Sequence, residues 1–145
     1  MVKNMIFNGK EHENAFFNYL KKFDISPNDS ERVALIYILT ITEDCRDGIL
    51  DCYDPEERRV KQDALKHEWV TGTDARAIRL AFNLFNGGVP TSKLENDDKS
   101  KNMYDQHGKF AYDEAELLAS TPCSIFAYGG IAEYLIQGIK LRFEI

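Results

Sequence analysis

The hydrophobic pattern of this chain is organised around one stretch that is apolar on every side. Residues 33–41 read VALIYILTI and carry no charged side chain. A helix without a polar face has to be surrounded by other elements, because any exposed side would leave apolar surface in water. The stretch therefore predicts a buried central helix, capped by Asn28 or Ser30 and ending near Thr42, with the other elements packed around it.

Two further segments have the one-sided pattern of helices that pack on such a core. The first covers residues 9–23 and follows Asn8, which is a suitable cap. The second covers residues 73–86, with Thr73 as its cap and Gly87 as its stop. Their apolar positions recur at helical spacing: His12, Ala15, Phe16, Tyr19, Leu20 and Phe23 in the first, and Ala75, Ile78, Ala81, Phe82 and Phe85 in the second.

A last helix ends at about Arg142 and begins at about Ile125 or Tyr128. Alternatively, the glycine pair at residues 129–130 forms a corner and the helix follows it. Its stripe consists of Ile131, Tyr134, Leu135, Gly138 and Ile139. A glycine on an apolar stripe predicts close approach to another backbone, and packing of Gly138 on the central helix satisfies that expectation.

The segments between these helices are less determined by pattern. Around the turn signal at Pro55, either residues 58–65 form a short helix or residues 49–53 and 59–62 pair as a hairpin. The sequence pattern does not decide the conformation of residues 53–66. The polar residues 89–109 predict a long surface loop, followed by a short helix over residues 112–119. The chain is expected to be one domain over residues 1–145, an all-α compact bundle around the central helix with at most one short β-hairpin near residues 49–62.

Composition narrows the range of functions. The 145 residues include 24 acidic and 18 basic side chains, a net charge of −6, so binding to nucleic acid or to anionic membranes is not expected and basic partners are favoured. The three cysteines form no CxxC pair, which favours reduced thiols. The first residues lack the apolar core of a signal peptide, and no apolar run has the length of a membrane span. We therefore expect a cytoplasmic protein, as a monomer or a homodimer.

The acidic cluster after the central helix is the first candidate site. Glu43, Asp44, Asp47 and Asp51 follow the apolar run, and Arg46 lies among them. The simplest interpretation is a solvated helix end that Arg46 neutralises, and the alternatives are a docking face for a basic partner or a cation site. The EF-hand pattern is missing, and Cys45 beside these carboxylates should resist forming a thiolate, so neither a catalytic residue nor a metal or cofactor is predicted.

A second group of candidates surrounds the start of the helix at residues 73–86. His67-Glu68 would open a zinc-protease motif, but the second histidine of that motif is replaced by Thr71. Trp69 follows, and Arg76 with the helix start at residues 72–73 could hold an anion. Arg79 lies three residues further on. Ordinary capping, and arginines that are solvated or paired with nearby carboxylates, are the favoured explanations of these features.

Several segments together resemble a known family. They are residues 6–12, residues 34–37 with residues 43–46, residues 67–69 with residues 79–87, and residues 132–143. The chain resembles an uncharacterised family of small proteins from low-GC Gram-positive bacteria and their phages and mobile elements. The resemblance implies a genomic setting in which small proteins commonly bind and block host proteins, and it implies no activity.

The leading hypothesis is therefore an acidic protein–protein interaction module, of the type that a phage or mobile element uses to inhibit a host or defence protein such as a nuclease. Its binding residues would be drawn from Glu43, Asp44, Arg46, Asp47, Asp51, His67, Trp69, Arg76 and Arg79. The alternative is a small enzyme or a ligand- or metal-binding domain in which the carboxylates of residues 43–47 act with His67, Arg76 and Arg79. A non-enzymatic role is favoured because no catalytic constellation is recognisable.

Overall fold

The computed structural model describes residues 4–90, 114–127 and 129–145. Within these residues the fold is mainly helical with one short antiparallel hairpin, as predicted. Helix α2, Ser30–Leu39, is the predicted central helix, and every residue from Val33 to Leu39 is buried. Its cap is Asp29, whose carboxylate accepts the Arg32 N–H at 3.2 Å, so the prediction of Asn28 or Ser30 was wrong by one residue.

Helix α2 ends two residues before the apolar run does. Thr40 Oγ1 lies 2.7 Å from the Ile36 carbonyl oxygen, and the Arg46 guanidinium donates to the carbonyls of Thr40 and Ile41 at 2.9 and 3.1 Å. These bonds satisfy carbonyls that a continuing helix would have used. Thr42 then caps a new helix by accepting the Cys45 N–H at 3.2 Å.

Helix α1, Gly9–Lys22, confirms the predicted first amphipathic helix, with His12, Phe16 and Leu20 buried. Asn8 precedes it without capping through its side chain. Instead, its backbone N–H donates to His12 Nδ1 at 2.9 Å and its amide donates to the Ile41 carbonyl at 3.0 Å. Asn8 thus ties the start of α1 to the end of the central helix.

The acidic segment forms two short helices, α3 over Glu43–Asp47 and α4 over Ile49–Cys52, which meet at Gly48. The hairpin interpretation of the next segment is confirmed, although its strands are shorter than predicted. Strand β1, Tyr53–Asp54, pairs antiparallel with β2, Arg59–Val60, in the register Tyr53↔Val60. A single 3₁₀ turn, Ala64–Lys66, leads away from the hairpin.

Helix α5, Gly72–Asn86, begins slightly earlier than predicted because its cap is Thr71 and not Thr73. Thr71 Oγ1 accepts the Asp74 N–H at 3.3 Å, and the Asp74 carboxylate accepts the Thr71 N–H at 2.9 Å, which is a reciprocal capping box. The helix stops as predicted at Gly87, whose φ of 73° lies in the left-handed region that glycine adopts readily.

The last part contains α6, Glu114–Ala119, α7, Pro122–Ile125, and α8, Ala132–Phe143. The predicted final helix therefore begins later than Ile125, and Gly129 and Gly130, each with φ of 66°, form the predicted corner before it. Tyr128 and residues 91–113, which include most of the predicted loop and the predicted start of α6, lie outside the described residues.

The central helix is covered by α5 on one side and by α8 on another, and α1 lies along it. Gly138 of α8 packs directly on Ile38, because a Cβ at Gly138 would lie 2.5 Å from Ile38 Cγ1. The predicted close approach is thus confirmed. Among the described helices, none combines the length and the apolar character needed to cross a membrane.

Candidate protein-binding face

The tryptophan of the chain lies across the junction between α3 and α4. A Cβ built on Gly48 would overlap the Cζ2 and Cε2 atoms of Trp69, so the indole is in van der Waals contact with the backbone at this glycine. Gly48 has a φ of −99°, which other residues also adopt. Glycine is therefore needed here because it has no side chain and leaves space for the ring. Trp69 is half-buried and presents the rest of its surface to solvent.

Asp51 holds the indole in this position, and His67 lies beside both residues. The Trp69 Nε1–H donates to Asp51 Oδ2 at 2.9 Å. His67 Nδ1 lies 3.7 Å from the same oxygen, beyond hydrogen-bond distance, and the imidazole is nearly parallel to the indole, with 20° between the planes and 6.4 Å between the centroids. One carboxylate is thus bonded to the indole and close to the imidazole.

The carboxylates of α3 continue this surface. Asp44, Gly48 and Asp51 follow each other at helical spacing, and the Gly48 N–H bonds to the Asp44 carbonyl at 2.9 Å, so the three positions share one side. Asp47 lies beside them and is exposed, as is Asp44. We call the surface formed by Asp44, Asp47, Asp51, His67 and Trp69 the Trp69 face.

Arg46 is directed toward the end of the central helix. Its Nη1 atom donates to the carbonyls of Thr40 and Ile41 at the end of α2. A cation at that position also offsets the negative end of the α2 dipole. These contacts of Arg46 are structural, and its role as the internal partner of the acidic cluster stays a prediction.

A buried carboxylate lies behind the exposed acids. Asp74 is 1% exposed and accepts hydrogen bonds from Thr42 Oγ1 at 2.7 Å and from both the backbone and the hydroxyl of Thr71 at 2.9 Å. A hydrogen bond with Asp74 and the negative charge of Asp74 raise the pKa of the neighbouring Asp44 carboxyl above its ordinary value. Glu43 and Asp47 add further negative charge beside the same carboxyl.

The two cysteines of this region are unsuited to nucleophilic chemistry. Cys45 and Cys52 are fully buried, and burial raises the pKa of the Cys45 thiol to about 12 and that of the Cys52 thiol further still. Neither forms a thiolate near neutral pH, as the sequence predicted for Cys45. Among the described residues no group of three or more histidine, cysteine or acidic side chains is arranged to hold a metal ion.

The two arginines of α5 project from the side of that helix away from Asp74. Arg76 and Arg79 follow Asp74 by two and five residues, which on a helix places them about 200° and 140° around the axis from it. Arg76 Nη2 donates to Thr73 Oγ1 at 3.4 Å, and both side chains have further interactions within the protein. The Asp74 carboxylate already occupies the first turn of α5, and its charge disfavours the anion site considered for that position.

Asp51, His67 and Trp69 are therefore the sequence candidates that the structure brings into direct contact, with Asp44 and Asp47 on the same side. Sequence reasoning missed Asp74, Thr71 and the packing role of Gly48. The capping box was visible as a threonine followed three residues later by an acid, whereas nothing local marked Gly48 as the support of a ring twenty-one residues away.

Comparison with known protein families identifies a match that spans nearly the whole chain. The model of a family of unknown function, DUF6075, matches residues 2–145. No curated protein and no solved structure has a significant match to the chain.

Proposed function

The chain belongs to DUF6075, a family of unknown function, and from the geometry of its surface we propose that it is a protein-binding module that docks the Trp69 face onto a basic surface of another protein. The observation that carries the proposal is the Trp69 indole, fixed by Gly48 and Asp51 and flanked by the exposed carboxylates of Asp44 and Asp47. A held aromatic ring inside a charged rim is a common form of interface hot spot.

The fixed ring supports binding because little conformational freedom remains to be lost. The hydrogen bond to Asp51 and the contact with Gly48 set the orientation of the indole before any partner arrives. The surrounding acids supply attraction and specificity for lysine or arginine, and a partner cation beside Asp44 would relieve its repulsion with Asp74.

The class of partner follows from charge and from the resemblance to proteins of low-GC Gram-positive bacteria, their phages and mobile elements. We propose that the target is a cytoplasmic host or defence protein with a basic active surface, such as a nuclease, and that docking blocks access of nucleic acid to it. The net charge of −6 favours a cationic target over nucleic acid itself.

The proposal is tested by capture from lysate with matched charge variants. Tagged wild-type protein is compared with Asp44→Lys/Asp47→Lys and with Glu56→Lys/Glu57→Lys, which makes the same charge change on exposed residues of the hairpin turn. Proteins captured by the wild type above background are purified, whatever their binding to the two variants. Their affinities are then measured by calorimetry at several salt concentrations, and a nuclease among them is assayed for inhibition.

We expect the Trp69-face variant to bind the purified partner about 10- to 100-fold more weakly, and the wild-type affinity to fall as salt rises. Trp69→Phe, which keeps a ring but removes the N–H donor, should weaken binding less than the double charge reversal. If both lysine variants lost the same affinity, the loss would be due to net charge and not to the Trp69 face. If both bound as tightly as the wild type, the proposed site would be wrong.

A second candidate function rests on the arrangement of His67 and Asp51. A carboxylate 3.7 Å from an imidazole nitrogen can orient that ring for proton transfer or for binding a small ligand, which is the enzyme or ligand-binding alternative. A thermal-shift screen with divalent metals and nucleotides tests it, because a ligand at 100 times its dissociation constant stabilises the fold by about 2.7 kcal/mol. Absence of a shift with every compound argues against this alternative.

A further inference from the structure

Helix α8 has two faces of different character. Its inner face packs Leu135, Gly138 and Leu141 against the core. Its outer face exposes Ile136 by 47% and Phe143 by 58%, and both are large apolar side chains. Scattered apolar residues on a surface need no explanation, but two on one helix face with apolar neighbours form a patch of the kind that marks an interface.

The apolar residues of this outer face follow coiled-coil spacing. Ala132, Ile136, Ile139 and Phe143 recur at intervals of four, three and four residues, which places them in one stripe along the helix. Ala132 and Ile139 are half-buried at the edge of the stripe, and Ile136 and Phe143 are exposed. The stripe thus includes apolar side chains that are not covered by the rest of the fold.

The charges beside the stripe determine what kind of partner fits it. Glu133 and Lys140 are exposed on the same side of the stripe, near its two ends. This side is therefore locally neutral, although the whole chain has a net charge of −6 that opposes self-association elsewhere on its surface. An acid and a base at opposite ends of one apolar stripe are complementary to a second copy in reverse orientation.

We propose that α8 pairs antiparallel with α8 of a second copy, forming a homodimer with two-fold symmetry. The stripe is symmetric about a point between residues 137 and 138, so reversal sets Ile136 against Ile139 of the partner subunit and Ala132 against Phe143 of the partner subunit. Glu133 is then displaced by two residues, about 3 Å along the helix axis, from Lys140 of the partner subunit, which leaves the two side chains within reach. Two-fold symmetry forms each contact twice. This surface is distinct from the Trp69 face, and the proposal does not depend on that binding function.

Mass in solution, measured by light scattering or sedimentation over a concentration series, tests the dimer. The wild type should show the mass of two chains, and Ile136→Glu should raise the dissociation constant about 100-fold, since it replaces apolar burial by a buried charge. Leu118→Glu is the matched control, because Leu118 is 64% exposed on α6, outside the stripe, and the variant should remain dimeric. Circular dichroism confirms that each variant is folded.

The orientation is tested by charge exchange. Lys140→Glu alone should weaken association roughly tenfold, and Glu133→Lys in the same chain should restore it, because antiparallel pairing brings the two positions within reach of each other. In a parallel pair the residues on one flank of the stripe face the other flank of the partner helix, so Glu133 and Lys140 would not meet and no rescue would follow. A single-chain mass for the wild type at all concentrations up to about 1 mM, or a dimer that Ile136→Glu leaves intact, would overturn the proposal.

Discussion

At the scale of single residues, His12 illustrates how the core selects one protonation state. Its Nδ1 accepts the Asn8 N–H at 2.9 Å, so the ring proton lies on Nε2 and is donated to the Tyr37 carbonyl at 2.9 Å. Phe7, Tyr37 and Tyr134 surround the ring. Burial removes the water that would stabilise an imidazolium, and this lowers the pKa of His12 from 6.5 to about 4.

This pKa predicts how stability depends on pH. Above pH 6.5 His12 is neutral whether the chain is folded or unfolded, and between 6.5 and about 4 only the unfolded chain takes up the proton. The contribution of His12 to the free energy of unfolding should therefore fall by about 3 kcal/mol as pH drops through that window. Below the window this contribution should level off. Urea titrations at several pH values measure the slope.

His12→Gln should have a shallower slope than the wild type, whatever its absolute stability. Equal slopes in the two proteins would contradict the assignment. An NMR titration provides a direct check, since the His12 ring should remain neutral well below the pH at which the ring of an exposed histidine becomes charged.

Gly48 is the other residue whose effect depends on one contact. Gly48→Ala forces the Trp69 indole to move, so it should break the hydrogen bond to Asp51 and lower the free energy of unfolding by about 1–3 kcal/mol. The chain contains one tryptophan, so its fluorescence reports the displacement directly. Gly72→Ala meets no atom within 4 Å and should leave stability and emission nearly unchanged, and equal behaviour of the two variants would show that the indole tolerates a methyl group.

At the scale of elements, the crossing of α2 and α8 depends on the absence of a side chain at Gly138. Gly138→Ala sets a methyl group 2.5 Å from Ile38 Cγ1 inside a fully buried contact, and we expect a loss of about 1–3 kcal/mol in urea unfolding. Ile38→Val removes the nearby Cδ1 atom and should make the loss in the double variant smaller than the sum of the single losses. If the two losses were strictly additive, the added methyl group would not contact the Ile38 side chain.

The elements that the sequence predicted well are those with long, regular patterns. The buried central helix, α1, α5 and the Gly138 contact follow from periodicity and residue size. The early end of α2 could not be predicted, because Thr40 and Ile41 continue the apolar pattern and the helix ends through a tertiary contact with Arg46. The start of α8 was placed too early, at Ile125 or Tyr128, because Ile125 ends a separate short helix, α7, and the left-handed pair Gly129 and Gly130 turns the chain before α8 begins at Ala132.

The candidate site was predictable in composition but not in arrangement. Acids after the central helix and an aromatic residue near His67 were visible in the sequence, and the structure brings Asp51, His67 and Trp69 into contact. The contacts of Arg46, Arg76 and Arg79 could not be predicted by pattern, because the direction in which a side chain points depends on its own helix and on the elements packed against that helix. Contacts between segments that are distant along the chain determine the face.

At the scale of the whole molecule, one apolar core unites the elements. Buried residues from α1, α2, α4, the hairpin, α5, α7 and α8 form a single contiguous cluster. Trp69 packs against the edge of that cluster, so the proposed binding face is attached to the core and is not an independent loop. Loss of core packing should therefore disrupt the Trp69 face at the same time.

This unity predicts cooperative unfolding. Fluorescence of Trp69 reports the face near α3 and α4, and far-ultraviolet circular dichroism reports all helices, yet the two signals should give the same urea midpoint and the same slope. The measurement is made at one protein concentration, because a dimer would make the midpoint concentration-dependent. If the fluorescence transition occurred at lower urea than the loss of helix, the Trp69 face would unfold separately from the α2, α5 and α8 core, and a partner would have to bind a surface that opens before the domain does.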